Sequence, residues 1–274
     1  RTEASRSLNL VRLVLLMVAL MLAAVGPARA APPSVQLEEL TWTEVKAALQ
    51  SGTTTIIIPA GGTEQSGPHM ALGKHNVRAR VLAGRIAAAL GDTLVAPVLA
   101  YVPEGAISPP VGHMRFPGTI SIPDATFKST IESAARSFRQ AGFTHIVLLG
   151  DHGGYQALLK QAAADLNREW AGRGMHAHFI TEYYGATQTA YVQALRAKGF
   201  TDAQIGQHAG VADTSLMMAI DPAYVRADRL GGHSVADGTQ GDPALSNAAL
   251  GQLGVDLIVS QTVAAIRKAR AEKH

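Results

Sequence analysis

The feature that most constrains this chain is an alternation. Short apolar runs rich in β-branched residues, at positions 54–59, 94–99, 145–149 and 176–181, are bounded by glycine, proline or polar residues. Longer stretches with helical period separate them, at 77–90, 125–141 and 156–170, and further helix is expected at 187–198, 213–219 and 250–273. Short apolar β-rich runs alternating with longer segments of helical period give a parallel sheet covered by helices. Asp124 is placed to cap the second helix at its start, and Gly142 to close it in a left-handed turn.

Residues 1–30 read as a secretory signal peptide. Arg1, Arg6 and Arg12 form a basic leader, residues 13–25 are uninterruptedly apolar, and Ala28-Arg29-Ala30 is a small-x-small cleavage signature. A retained membrane anchor is the competing reading, but that apolar run is short of the roughly 20 residues that span a bilayer core. The expectation is a cleaved leader, a single domain over 31–274, a periplasmic or secreted address, and no stable membrane anchor after cleavage.

Taking that leader away removes four basic residues and one acidic residue from totals of 24 and 21, leaving 20 of each. A near-neutral chain without a basic stripe is not built to track a phosphate backbone, so nucleic acid is not an expected partner. The chain has no cysteine, which excludes a disulfide framework, a thiolate nucleophile and thiolate metal ligands. Any metal must sit on His, Asp and Glu.

Two polar clusters follow strand candidates directly: "GGTEQSGPHMALGKHN" after the first and "DHGGYQ" after the third. In open parallel sheets, ligands bind beyond the carboxyl ends of the strands, so Glu64, His75, Asp151 and His152 are expected at one edge. Imidazole nitrogen and carboxylate oxygen suit a first-row divalent ion, and Glu64, His75 and His152 could supply such a set from two loops. The plainer alternative is that His75 begins a helix and Glu64 is a solvated loop residue.

Five ordered segments resemble the creatininase (creatinine amidohydrolase) family over nearly the whole chain after the leader. "PAGGTEQSGPHMALGKHN" resembles P-x-G-S-x-E-x-H-G-P-H-L-P-x-x-T-D, "GHMRFPGTISI" is similar to H-x-x-F-P-G-T, and "VLLGDHGGYQ" to N-G-H-G-G-N. "GQHAGVADTSLMM" resembles G-x-H-A-G-x-x-E-T-S, and "GTQGDPALSNAALG" the family's G-x-x-G-D-P ending. The resemblance implies a three-layer α/β/α sandwich with a mostly parallel sheet, one or two divalent ions, a homo-oligomer that is often a hexamer, and hydrolysis of a nonpeptide, cyclic or formylated amide C–N bond.

By position, Glu64 and His152 match metal ligands of the family. Ser66 stands where the family has a ligand histidine, His75 where it has a bridging aspartate, and Gly154 where creatininase itself has a ligand glutamate. An imidazole nitrogen has one lone pair and a carboxylate can bridge, so His75 disfavours two ions. The expectation is one divalent ion per subunit, zinc, manganese or iron, on Glu64, His75 and His152. Asp213, matching the E-T-S glutamate, is a fourth ligand or a proton-transfer group, and Asp213 or His208 takes the proton of the attacking water and passes it to the leaving nitrogen. A packed histidine at a helix start is the alternative for His208.

Other residues have two readings each. His69 orients a ligand or packs in its loop; His113 reaches a neighbouring subunit's pocket or lies on the surface; Asp151 accepts from a ligand histidine or starts a turn. Tyr183 and Tyr184 line a substrate pocket or pack, and Lys74 is read as solvated, opposing a second cation if it points inward. The alternative for the whole protein is a catalytically degenerate family member serving as a small-molecule-binding or assembly module.

Overall fold

The computed structural model describes residues 32–272, so the leader expected over residues 1–30 lies outside the described residues. Four strands, β1 (Thr55–Ala60), β2 (Thr93–Val95), β3 (His145–Gly150) and β4 (His176–Phe179), form one sheet in the order β2-β1-β3-β4. All three pairings are parallel, and β1 meets β3 in register from Thr55↔His145 to Ala60↔Gly150. The expected strand over 94–99 is cut to three residues. Pro97 has no N–H to give to the ladder, and only an isolated Ala60↔Leu99 bridge resumes beyond it.

Successive residues of β1 point to opposite faces, and both faces are covered. Ile57, Val147 and Leu149 pack with helices α2 (Lys74–Leu90), α5 (Thr181–Gln188), α6 (Ala190–Ala197), α7 (Val211–Ile220) and α8 (Ala248–Ala271). Ile56, Ile58, Ile146 and Leu148 pack with α3 (Asp124–Ala141) and α4 (Gln156–Glu169), through Phe127, Ile131, Leu159 and Leu166. The result is a three-layer α/β/α sandwich. Helix α8 is long and apolar enough to cross a membrane, but Leu250, Val255, Ile258 and Ile266 are buried in the core, which accounts for its composition.

Several boundaries differ from the sequence expectation. Helix α3 starts at Asp124 itself, with Pro123 at the cap position and no side-chain cap bond; Asp124 instead faces the positive end of the helix from its first turn. Gly142 closes it in the left-handed region, φ 115°. The helix expected over 187–198 is two helices broken at Thr189, and the first begins at Thr181. Helix α1 (Trp42–Gln50) was not expected, although its reciprocal cap between Thr41 and Glu44 is legible as T-x-x-E.

Candidate metal centre

Because β1 and β3 end together at Ala60 and Gly150, the chain leaves both strands at one level. Strand β1 continues through Gly61 and Gly62 to Glu64, and β3 into Asp151 and His152. The Asp151 amide donates to Ala60 O at 3.0 Å, and the Tyr155 hydroxyl donates to the same oxygen at 2.9 Å, tying the two exits together. Helix α2 starts beside them and presents Lys74, His75 and Arg78, all buried, from its first turn and a half.

Glu64 is fully buried and lies at the centre. His75 Nε2 is 2.7 Å from its Oε1, and His152 Nε2 is 3.4 Å from its Oε2. One donor atom from each of Glu64, His75 and His152 lies within 4.8 Å of the other two. Glu64, His113 and His208 satisfy the same limit, with His113 Nε2 3.3 Å from Oε2 and His208 Nδ1 3.7 Å from Oε1. His113 therefore reaches the site of its own subunit, rather than a neighbour's pocket.

Around this centre the charges are paired. Asp151 Oδ2 accepts from His75 Nδ1 at 2.6 Å and from Arg78 Nε at 2.7 Å, while Tyr183 donates to Oδ1 at 2.8 Å. Of the two readings of Asp151, the structure thus shows the bond to His75. Asp213 accepts from Lys74, from Arg78 Nη1 at 2.6 Å and from the Ala209 amide at 3.1 Å. It joins neither donor set among the described residues, which corrects the fourth-ligand expectation: its oxygens are engaged by two cations.

Lys74 is only 1% exposed, which corrects its solvated reading; its ammonium lies between Asp213 and Glu64 Oε1, the latter at 3.7 Å. His69 supports the 209–214 turn rather than a ligand histidine, donating from Nε2 to Thr214 Oγ1 at 3.0 Å, and it stacks on His233. Ser66 is buried with its hydroxyl outside both donor sets. Tyr184 lines the cleft of about 270 Å³ that opens over Lys74, Arg78, His152, His208 and Asp213.

Burial would raise the Glu64 carboxyl, but His75, Lys74 and His152 around it hold it well below the usual carboxylate range. Asp151 and Asp213 are likewise lowered against the effect of burial, the first by Arg78 and His75, the second by Lys74 and Arg78. Burial pushes His152 down to about 4 and His208 to about 3, which favours the neutral form of both imidazoles. Glu104 moves oppositely: burial first, then the neighbouring Glu64 carboxylate, drive it up to about 9.

The donor set fits a divalent ion. A nitrogen lone pair 2.7 Å from a carboxylate oxygen requires a proton or a cation between them, because two bare electron pairs repel. The Nδ1–H of His75 is committed to Asp151, which leaves Nε2 to point at Glu64, the arrangement that orients metal-bound imidazole. Glu64 Oε2 is buried without a hydrogen-bond partner among the described residues, and an orphaned buried carboxylate oxygen is costly unless something positive meets it.

Sequence reasoning did not single out Arg78 or Glu104. Arg78 is legible after the fact, since positions 74, 75 and 78 share one helix face. Glu104 carried no signal, being a lone acid in a loop outside every motif.

A buried histidine and carboxylate set at the carboxyl ends of a parallel sheet, opening into a cleft, defines the class of metal-dependent hydrolases. The comparisons with known proteins narrow this. The creatininase family, described as creatinine amidohydrolase, matches residues 38–266. The creatinine amidohydrolase of Pseudomonas putida is 31% identical over 206 residues, 74% of this chain and 78% of that one. The mycofactocin precursor peptide peptidase of Mycolicibacterium smegmatis is 29% identical over 66% of this chain and 64% of its own length. Among solved structures, a manganese creatininase superposes with a TM-score of 0.74 at 27% identity, covering 87% of this chain and 100% of its own. The chain belongs to the creatininase family of metal-dependent amidohydrolases.

Proposed function

We propose that this protein hydrolyses a non-peptide amide C–N bond of a small molecule, using one divalent ion held by Glu64, His75 and His152. The observation that carries the reading is the convergence of His75 and His152 on the buried Glu64 carboxylate, whose Oε2 has no hydrogen-bond partner among the described residues. Nitrogen and oxygen donors suit zinc, manganese and iron alike. When bound, such an ion supplies Lewis-acid polarisation of the amide carbonyl and a lowered pKa for water.

The residues around it have separable tasks. His208 Nε2–H donates to the Gln65 carbonyl at 2.9 Å, which fixes the ring and leaves the Nδ1 lone pair facing the centre. It is placed to take the proton of the attacking water and return it to the leaving nitrogen. Asp213, held as a carboxylate by two cations, is a poor base and instead locks Lys74 and Arg78 along the cleft. There the two positive side chains favour negative charge developing on the amide oxygen. They also argue for one ion rather than two, since a second dication shared through Glu64 would face Lys74 across a buried site.

To test this, the mature protein is purified without chelator, its metal content measured, and cyclic ureides, lactams, formamides and short peptides assayed with and without chelation. One equivalent of metal and chelator-sensitive turnover of an amide in the panel are expected; neither metal nor turnover discards the proposal. Metal without turnover supports the second reading, a binding or assembly module, which Ser66 and Gly154 favour by offering no ligand side chain where the resemblance expects one.

Export and self-assembly belong to the same reading. The basic, apolar and small-residue order of residues 1–30 supports cleavage near residue 30, checked by N-terminal sequencing of protein from the periplasmic fraction. Tyr101, Ile107 and Val111, at 59%, 62% and 47% exposure, form an exposed apolar loop of the kind that subunit contacts cover. Light scattering of the purified protein reads the assembly directly.

A further inference from the structure

The two histidines of the proposed centre are not equally supported. His75 has its outer nitrogen bonded to Asp151, so its inner nitrogen is presented to the site. The His152 ring is set the other way: Nδ1 accepts the Gly154 amide at 3.2 Å, which in a neutral ring puts the proton on Nε2, the atom that faces Glu64 at 3.4 Å. Binding a cation through Nε2 requires that proton to move to Nδ1, and the new Nδ1–H then needs an acceptor. Glu104 Oε2 lies 3.7 Å away.

We propose that Glu104 is the positioning residue of His152, accepting its Nδ1–H when Nε2 binds a divalent cation, as Asp151 does for His75. Glu104 is 6% exposed, and both carboxyl oxygens lack a hydrogen-bond partner among the described residues. Burying a carboxyl group without a hydrogen-bond partner is costly.

The surrounding chain is shaped to hold it. The Glu104 amide donates to Ser121 Oγ at 3.0 Å, and that hydroxyl donates to Gly105 O at 2.8 Å, pinning the backbone on both sides of the side chain. Gly62, in the left-handed region at φ 146°, passes so close that a Cβ there would sit 2.6 Å from Glu104 Oε1. The glycine after β1 thus leaves room for the Glu104 carboxyl group beside His152. Lys74 and Glu64 are the other charged groups acting on it, so the acceptor sits within the same electrostatic cluster.

The inference rests on the proposed metal reading, and its test separates the two. Metal-stripped parent, Glu104→Leu and Glu104→Gln are titrated with Co²⁺ by calorimetry, the visible spectra of the loaded proteins are recorded, and Tm is measured for each stripped protein. Outer partners of metal-bound histidines contribute about 10- to 100-fold in affinity. Glu104→Leu is expected to weaken Co²⁺ binding by that factor with the band shape kept, while its stripped Tm stays level or rises. Glu104→Gln, which keeps an acceptor oxygen, is expected to restore most of the affinity. If the parent binds Co²⁺ and Glu104→Leu binds it equally well, the positioning role is overturned and the metal reading stands. If Gln loses as much as Leu and the band shape changes, Glu104 is a direct ligand and the proposal is likewise overturned. A Tm loss in Glu104→Leu without an affinity loss makes it a structural residue. A parent that binds no Co²⁺ removes both readings together.

Discussion

The two corners of the centre, one around His75 and one around His152, differ in how finished they are. The His75 corner is closed: Asp151 bonds the ring, Arg78 and Tyr183 bond Asp151, and every partner is buried. The His152 corner is open: among the described residues the Glu104 oxygens and Glu64 Oε2 have no hydrogen-bond partner, and the ring is turned toward the Gly154 amide. One side of the site is built by folding, because its charges neutralise one another without help. The other brings the Glu64 and Glu104 carboxyl groups close enough that Glu64 raises Glu104, an arrangement that folding tolerates and a cation would relieve.

The sharpest way to break this comparison is to remove the group common to both corners. Glu64→Ala deletes the central carboxylate and is expected to abolish stoichiometric metal binding and to lower kcat by about a thousandfold or more, given the several kcal/mol that such an ion contributes to the barrier; elemental analysis and steady-state kinetics read both. Asp151→Ala strikes the finished corner. It leaves His75 Nδ1 without its acceptor and Arg78 with Asp213 alone, and should cost about 1–3 kcal/mol of stability, read as a fall in denaturation midpoint even in chelator.

Gly154→Ala probes the open corner instead. A Cβ there would stand 3.0 Å from the His152 ring carbon and 3.2 Å from Nδ1, so the ring must shift, and metal affinity should drop about tenfold or more while chemical stability changes little. Equal stability losses for Asp151→Ala and Gly154→Ala would contradict the difference between the corners. Tyr183→Phe removes one hydrogen bond to a charged, buried Asp151 and should cost about 1.5–3 kcal/mol, measured by urea unfolding.

The pH dependence gives the broadest effect. Burial depresses His69 and His152 to about 4 and His208 to about 3, whereas an unfolded chain titrates histidine near 6.5. Below that pH the unfolded state binds protons that the folded state refuses, so stability is full above about 6.5 and falls as pH drops toward 4. Glu104 has the opposite sign: raised to about 9 in the fold, it favours folding at low pH and loses that contribution as pH rises from its ordinary value near 4.3. Glu104→Gln should therefore remove the loss of stability as the stripped protein is taken up toward pH 9 and make the fall below about 6.5 steeper.

Much was legible in the chain. The continuous apolar runs and the helical stretches between them foretold the layers, since burying both faces of a parallel sheet requires helices on each. The motif order placed Glu64, His75 and His152 at strand ends, and β1 and β3 deliver two of the three because they are register neighbours. Those are properties of local pattern and strand adjacency, which a sequence can state.

What only tertiary structure decided concerns charge. Lys74 reads as a surface lysine, yet it is buried between Asp213 and Glu64; Asp213 reads as a ligand, yet two cations engage it. Glu104 reads as nothing at all, being a single acid in a loop between β2 and α3. A charged side chain's role depends on which opposite charges lie within a few ångströms and on whether water is present to screen them. That distance is set by residues far away in the chain, so residue type and spacing determined the sandwich and its donors, and only their packing decided which carboxylates are satisfied and which still face an open corner.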